Sequence, residues 1–352
     1  MNCDIVVIGA GPSGLWAAKT AAEEGFNVVL LEEHGAVGLP KHCSGWLMGC
    51  EFTERFFAGM KDALPHQKVS RLTVTDPISG QVQEDIEDTG WGGYLARREL
   101  FDRELGKLAL MAGVKLFVNT KVKELIKEDG RVVGVKTTSN RLPEIRAKVT
   151  ICADGMRSAT AAGFANKEIA TEAEAETYPG IQMELVNVEG VKPGVIEMFG
   201  GEDPKLASRS LYPHGWGITL ASFSSIDTYY EVRSRRDNLL SKKLASSLPV
   251  YIASFPNRKQ MGFYYHQMVR DGIIFVGEAS GCSGIVHGMI TGEYAAQVAK
   301  KVIEEDDYSR INDYESLVKN SDIYRNPFCY RHIRQNYGSY RVWLERSKEI
   351  RV

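Results

Sequence analysis

A mixed α/β fold is predicted: a discontinuous Rossmann-type domain, an antiparallel β-sheet domain inserted into it, and a C-terminal helical segment. Three features of the 352-residue chain predict it. A buried-strand pattern, a glycine-rich turn and a helical run open the sequence. Strand-like runs with little helix occupy the middle. A second buried-strand pattern ending in glycine then returns near residue 272, followed by another long helical run.

The opening segment reads DIVVIGAGPSGLWAAKTAAEEGFNVVLLEE over residues 4–33. Ile5 to Ile8 lack polar alternation, as a parallel strand buried on both faces requires. Gly9-Ala10-Gly11-Pro12-Ser13-Gly14 then spells GxGxxG. Gly9 permits the tight turn, Gly11 lets the backbone approach a pyrophosphate, and Gly14 lets helix and strand pack closely. Pro12 and Ser13 lie at the start of that helix, whose N-terminus favours phosphate charge. Leu15 to Glu24 are good helix formers, Gly25 ends the helix, and Val28 to Leu31 form a second strand. Glu32, with Glu33 beside it, follows 18 residues after Gly14, where a carboxylate can accept from ribose hydroxyls. Strand, glycines, helix, strand and acid in this order specify a dinucleotide site. The motif alone does not separate FAD from NAD.

Gly35 to Gly49 reads as a glycine-rich loop containing Pro40, Cys43 and Trp46. Residues 68–88 alternate around Pro77-Ile78-Ser79-Gly80 and predict a hairpin. A helix is predicted over 95–113, ending at Gly113, and three strands around 114–124, 131–138 and 145–153, with Glu128-Asp129-Gly130 as a turn. Strand-like runs follow at 181–188, 195–199 and 216–223, with a helix signal only around 236–247. The strand GIIFVGEASG (272–281) and the helical run 287–306 complete the first domain. The expected boundaries are 1–67, 90–159 and 270–300 for the nucleotide domain, 68–89 and 160–269 for the inserted substrate domain, and 301–352 for the helical segment.

Composition excludes several classes. A net charge of −2 gives no global attraction to nucleic acid. No apolar run approaches the ~18 residues of a membrane span, and the N-terminus lacks the basic region of a signal peptide, so a cytoplasmic location is expected. Six cysteines without a CxxC pair provide neither a disulfide framework nor a metal site.

The discontinuous organisation, one fingerprint, Asp154-Gly155 after a buried strand, and a late Gly277-Glu278-Ala279 point to FAD. With these features the chain resembles the geranylgeranyl reductase family of FAD-dependent flavoproteins, within the wider p-hydroxybenzoate hydroxylase-like group. The resemblance covers nearly the whole chain. GLPKHCSG (38–45) resembles the segment that carries a cysteine near the flavin, which places Cys43, Ser44 and Gly45 there. YLARRELFDREL matches a motif whose arginine borders FAD, implying Arg98. Asp154-Gly155 and the acid Glu278, which stands where the family has aspartate, are implied cofactor contacts. GIVHGMITGEYAAQ (284–297), with Gly284, Ile285 and Gly288, matches the helix whose N-terminus faces the flavin pyrimidine. The family's substrate signature is reduced to YPHGWGITL (212–220), which implies Tyr212, Pro213 and Trp216 as substrate contacts.

The implied activity is reduction of carbon–carbon double bonds in an isoprenoid chain, in lipid biosynthesis. The alternatives are an FAD-dependent aromatic monooxygenase and a non-catalytic prenyl-binding escort protein. Cys43 and Cys282 are expected to approach each other at the flavin. There they act as a redox pair, or Cys43 supplies a proton, or both are buried apolar thiols. His42 and His287 flank the same region. No second GxGxxG exists, so electrons are expected from ferredoxin, a deazaflavin or a transiently docked nicotinamide. Residues 321–352 hold seven basic against three acidic side chains, interleaved with six aromatic ones. Such a segment suits a packed subdomain, a docking face for an acidic donor, or peripheral contact with an anionic membrane.

Overall fold

The computed structural model describes residues 1–41, 43–88, 92–155, 177–203, 205–206, 209–258, 268–282 and 284–321. His42 and most of the basic aromatic segment, from residue 322, lie outside the described residues. The chain forms two compact units. Of the described residues, the first takes in Met1–Leu39 and those within Glu99–Ala175 and Met261–Cys329, and the second those within Pro40–Arg98 and Glu176–Gln260. The boundaries thus run at Leu39/Pro40 and Arg98/Glu99, whereas the sequence reading groups 40–67 and 90–98 with the nucleotide domain.

The first unit is built on a sheet whose core strands are parallel. Asn2–Ile8 lies between Glu144–Cys152 and Val28–Leu31, Lys115–Phe117 pairs with Val28–Leu31, and Ile273–Phe275 pairs with Glu144–Cys152. The late return of the chain therefore supplies an integral strand. The buried β-branched run Ile5–Ile8 suits this central place, covered on both faces. The helix Pro12–Glu23 ends at Gly25 (φ +88°) in a Schellman motif: Gly25 N–H bonds Ala22 O and Phe26 N–H bonds Ala21 O.

The expected strand over 114–124 is two strands, Lys115–Phe117 and Val122–Glu128. Asn119 breaks them apart: it takes φ +50° and its N–H bonds His34 O. Asparagine tolerates this left-handed conformation better than most residues. The turn at Asp129-Gly130 has positive φ at both positions, as a tight hairpin between Val122–Glu128 and Arg131–Thr137 needs.

The second unit carries a seven-stranded sheet. Its order is Leu248–Arg258, Thr177–Val186, Thr219–Phe223, Arg209–Pro213, Val195–Phe199, Arg71–Thr75 and Val82–Glu87. All neighbours are antiparallel except Val195–Phe199 with Arg71–Thr75, which come from separate chain segments. Helices Ile226–Ser234 and Leu239–Leu244 cover one face, burying Met183, Leu185, Leu211 and Phe223 against Tyr229, Val232, Leu240 and Leu244. The helix signal at 236–247 falls on the second of these helices, and the first lies outside it. Asn238 caps the second helix by accepting from Ser241 N–H (2.8 Å), which fixes its start at Leu239. The first, unpredicted helix is announced by Ser225, which accepts from Thr228 N–H at 3.1 Å. A further short helix, Glu51–Phe57, follows the Gly35–Gly49 loop, in a stretch to which the sequence reading assigns no element.

Candidate functional site

In the first unit the parallel strands end in one transverse row: Leu31, Ile8, Cys152 and Phe275 are register partners. The residues that follow, Glu32, Gly9, Ala153 and Val276, form the rim of the sheet at its carboxyl end. Ligands of open α/β sheets bind outside this edge.

The glycines on the rim have distinct jobs. A Cβ on Gly9 would stand 2.5 Å from Ala153 O, and one on Gly14 would stand 2.0 Å from Gly9 O. Both positions therefore require glycine for close packing of turn, strand and helix. A Cβ on Gly11 would meet nothing within 4 Å. Gly11 instead borders open space at the helix N-terminus. No side chain caps that helix, no acid occupies its first turn, and Pro12 takes the position where an N–H would be orphaned. Leu15 N–H is the first to enter the helical ladder, on Gly11 O (2.9 Å), so the N–H groups of Ser13 and Gly14 precede it. That is an anion cradle.

Glu32 is buried (9% exposed), and its Oε2 accepts from Ala10 N–H at 2.9 Å. Oε1 accepts from His34 N–H at 2.9 Å and contacts the His34 ring at 2.6 Å. Three of about four carboxylate acceptor positions are used, and the remaining one lies on the oxygen nearer the glycine turn. Glu33 is exposed and pairs with Lys121 at 3.1 Å, so Glu32 is the acid directed at the turn. Asp154 accepts from the Cys152 thiol at 2.9 Å, and Gly155 (φ +79°) borders open space.

The late Gly-Glu-Ala turn is held from two sides. Gly277 N–H bonds the buried Thr291 hydroxyl at 3.0 Å, and a Cβ on Gly277 would stand 2.2 Å from Ser13 Oγ. Glu278 is half-buried beside it. Gly284 (φ +107°) caps the 20-residue helix Ile285–Glu304, which has neither a side-chain cap nor an acid in its first turn. This bare N-terminus stabilises a nearby negative charge by roughly 1 kcal/mol or more when partly buried. His287 is buried in that first turn, its Nδ1 3.2 Å from where a Gly284 Cβ would project. Cys282 is also buried, its N–H on Gly277 O and its side chain near Tyr314.

These features fit FAD: an open cradle at Gly11, a buried acid at the end of the second strand, an Asp-Gly rim and a second bare helix N-terminus. Among the described residues no His, Cys, Asp and Glu cluster could hold a metal, and no helix is long and apolar enough to cross a membrane.

The second unit carries its own constellation. Gly45 (φ +75°) packs so closely that a Cβ would stand 2.0 Å from Ala96 O. Next to it, the Tyr212 hydroxyl bonds Ser44 and Ser210 and lies near Cys43, and burial pushes its pKa up to about 12. The Tyr212 ring also neighbours Trp46, with centroids 6.4 Å apart. Cys43 is half-buried, and neither it nor Cys282 belongs to a disulfide. Of the residues matched to the substrate signature, Tyr212 is half-buried, Pro213 is buried, and Trp216 is half-buried against His214 (4.4 Å). Arg98 is half-buried at the start of the helix Arg98–Met111. Sequence reasoning missed Lys41, Glu184, Tyr251 and Thr291. Only Glu184 left a trace, as a polar position alternating with Met183 and Leu185 in a strand.

The model of the FAD dependent oxidoreductase family matches residues 4–257. The chain is 28% identical over 344 residues to digeranylgeranylglycerophospholipid reductase 1 of Methanosphaera stadtmanae, covering 92% of this chain and 81% of that protein. It is 30% identical over 325 residues to the digeranylgeranylglycerophospholipid reductase of Methanosphaerula palustris, covering 87% and 78%. A crystal structure of a geranylgeranyl bacteriochlorophyll reductase-like protein from Thermoplasma acidophilum superposes with a TM-score of 0.74 at 24% identity, over 90% of this chain and 83% of that one.

Proposed function

The chain belongs to the geranylgeranyl reductase family of FAD-dependent oxidoreductases, and from that premise we propose that it saturates carbon–carbon double bonds of an isoprenoid lipid chain. The observation that carries the reading is similarity to reductases named for digeranylgeranylglycerophospholipid along most of the chain, joined to an intact nucleotide cradle. FAD, when bound, supplies the hydride equivalent. The chain's own residues do the rest. Ser13 and Gly14 N–H groups hold the pyrophosphate, Glu32 the adenosine ribose and Glu278 the ribityl hydroxyls. The helix N-terminus at Gly284–Gly288 stabilises negative charge on the cofactor ring. Each saturated bond also takes up one proton. Cys43 is our proposed source, with the Tyr212 hydroxyl beside it; Tyr212, Pro213 and Trp216 contact substrate. Electrons enter from an external reduced donor of the ferredoxin class. Peripheral contact with a lipid surface through 321–352 would bring the enzyme to its substrate.

Anaerobic incubation of dithionite-reduced protein with a geranylgeranyl lipid should give products heavier by two hydrogens per double bond in mass spectra. Hydroxylated product formed only with NADPH and oxygen would replace this reading with a monooxygenase.

A further inference from the structure

The loop carrying Cys43 is anchored on both sides of the cysteine to one transverse row of the second unit's sheet. Tyr212, Leu220, Glu184 and Tyr251 are successive cross-strand partners. They project from the face opposite the helices, since Met183, Leu185, Leu211 and Ala221 face them. At one end of the row Lys41, only 6% exposed, forms an ion pair with Glu184 and lies over the Tyr251 ring at 4.9 Å. The Lys41 backbone N–H also donates to the Tyr251 hydroxyl at 3.0 Å. At the other end Ser44 bonds the Tyr212 hydroxyl. Tyr212 and Glu184 are two strand spacings apart, roughly 10 Å. Cys43 is thus suspended between two anchors that flank it in sequence.

We propose that Lys41, Glu184 and Tyr251 are positioning residues that, with the Ser44–Tyr212 bond, clamp the Cys43 loop and fix where its thiol points. A buried ammonium is held only with its partner and hydrogen bonds in place, so the clamp is closed in the folded unit. The inference extends the reading of Cys43 as proton source, but the clamp itself is a statement about the loop.

The test follows alkylation of Cys43 by iodoacetamide across pH, read by mass spectrometry of the Cys43 peptide. Glu184→Gln should raise the limiting high-pH rate about tenfold, equivalent to ~1.4 kcal/mol less holding energy. Tyr251→Phe removes one hydroxyl and changes no charge at neutral pH, so it tests the clamp even if Glu184→Gln misfolds; it should raise the same rate several-fold. The charge-reversed pair Lys41→Glu/Glu184→Lys should return the rate towards the parent value. Unchanged limiting rates in Glu184→Gln and Tyr251→Phe would overturn the clamp. So would a change confined to the apparent thiol pKa, because Lys41 would then act only as a neighbouring charge. Turnover of Cys43→Ser separates the two ideas: full activity there, with fast alkylation in the clamp variants, keeps the clamp and removes Cys43 from the chemistry.

Discussion

Gly11→Val is expected to yield a folded, colourless protein. A Cβ at Gly11 would meet nothing within 4 Å, so the substitution does not collide with the protein itself. The backbone there is extended, φ −77° and ψ 177°, a conformation valine adopts readily. The side chain instead fills the space in front of the Ser13 and Gly14 N–H groups, where the proposed function places the pyrophosphate of FAD. Excluding the phosphates removes the helix-terminus and hydrogen-bond contributions together, so affinity should fall by at least about a thousandfold, roughly 4 kcal/mol. Circular dichroism should match the parent while the 450 nm flavin absorbance disappears. Gly14→Ala makes the informative contrast. Its Cβ would stand 2.0 Å from Gly9 O, so that variant should lose stability along with FAD. If Gly11→Val purifies with stoichiometric FAD, the cradle has been assigned to the wrong place.

The contrast between these two glycines also explains what was readable from sequence. The spacing Gly9, Gly11, Gly14 and Glu32 is local, because one strand, one turn and one helix dictate it. The structure sets Glu32 on the glycine turn through Ala10 N–H. The return of the chain near 272 was legible for a similar reason, since a short buried run ending in glycine has few other uses. The strand Leu248–Arg258 was not legible, because Pro249 breaks the expected pattern. Proline is tolerated there because this strand lies at the sheet edge. Lys41 and Glu184 are 143 residues apart, and Lys41 and Tyr251 are 210 apart. Nothing in local spacing brings such residues together. Only the register of the sheet places Glu184 opposite Tyr251, and a lysine two residues before a cysteine gives no sign that it is buried.

The largest expected effect on stability comes from the contact between the two long helices of the first unit. Helix Ile285–Glu304 approaches helix Pro12–Glu23 through Gly288 and Gly292. A Cβ on Gly292 would stand 2.4 Å from the backbone oxygen of Ser13 and 3.3 Å from Ala17 N. Backbone on both sides leaves no side chain that can move aside. Gly292→Ala should therefore push the helices apart, costing about 1–3 kcal/mol as an overpacked core does. Because Ser13 N–H belongs to the proposed phosphate cradle, the displacement should weaken FAD binding too. Gly288 differs in one respect: its Cβ would stand 2.4 Å from Ser13 Oγ, but 3.6 Å from Ser13 Cβ. Removing the hydroxyl makes room. Gly288→Ala should destabilise the protein, and adding Ser13→Ala should recover much of the loss, whereas Ser13→Ala should not help Gly292→Ala. Thermal melts of the singles and both doubles, with and without added FAD, measure the two couplings. Equal rescue of both glycine variants, or of neither, would mean that the Ser13 side chain is not what sets the helix separation. A coupling found only at Gly288 would place the hydroxyl between the helices, beside the first turn of the proposed phosphate cradle.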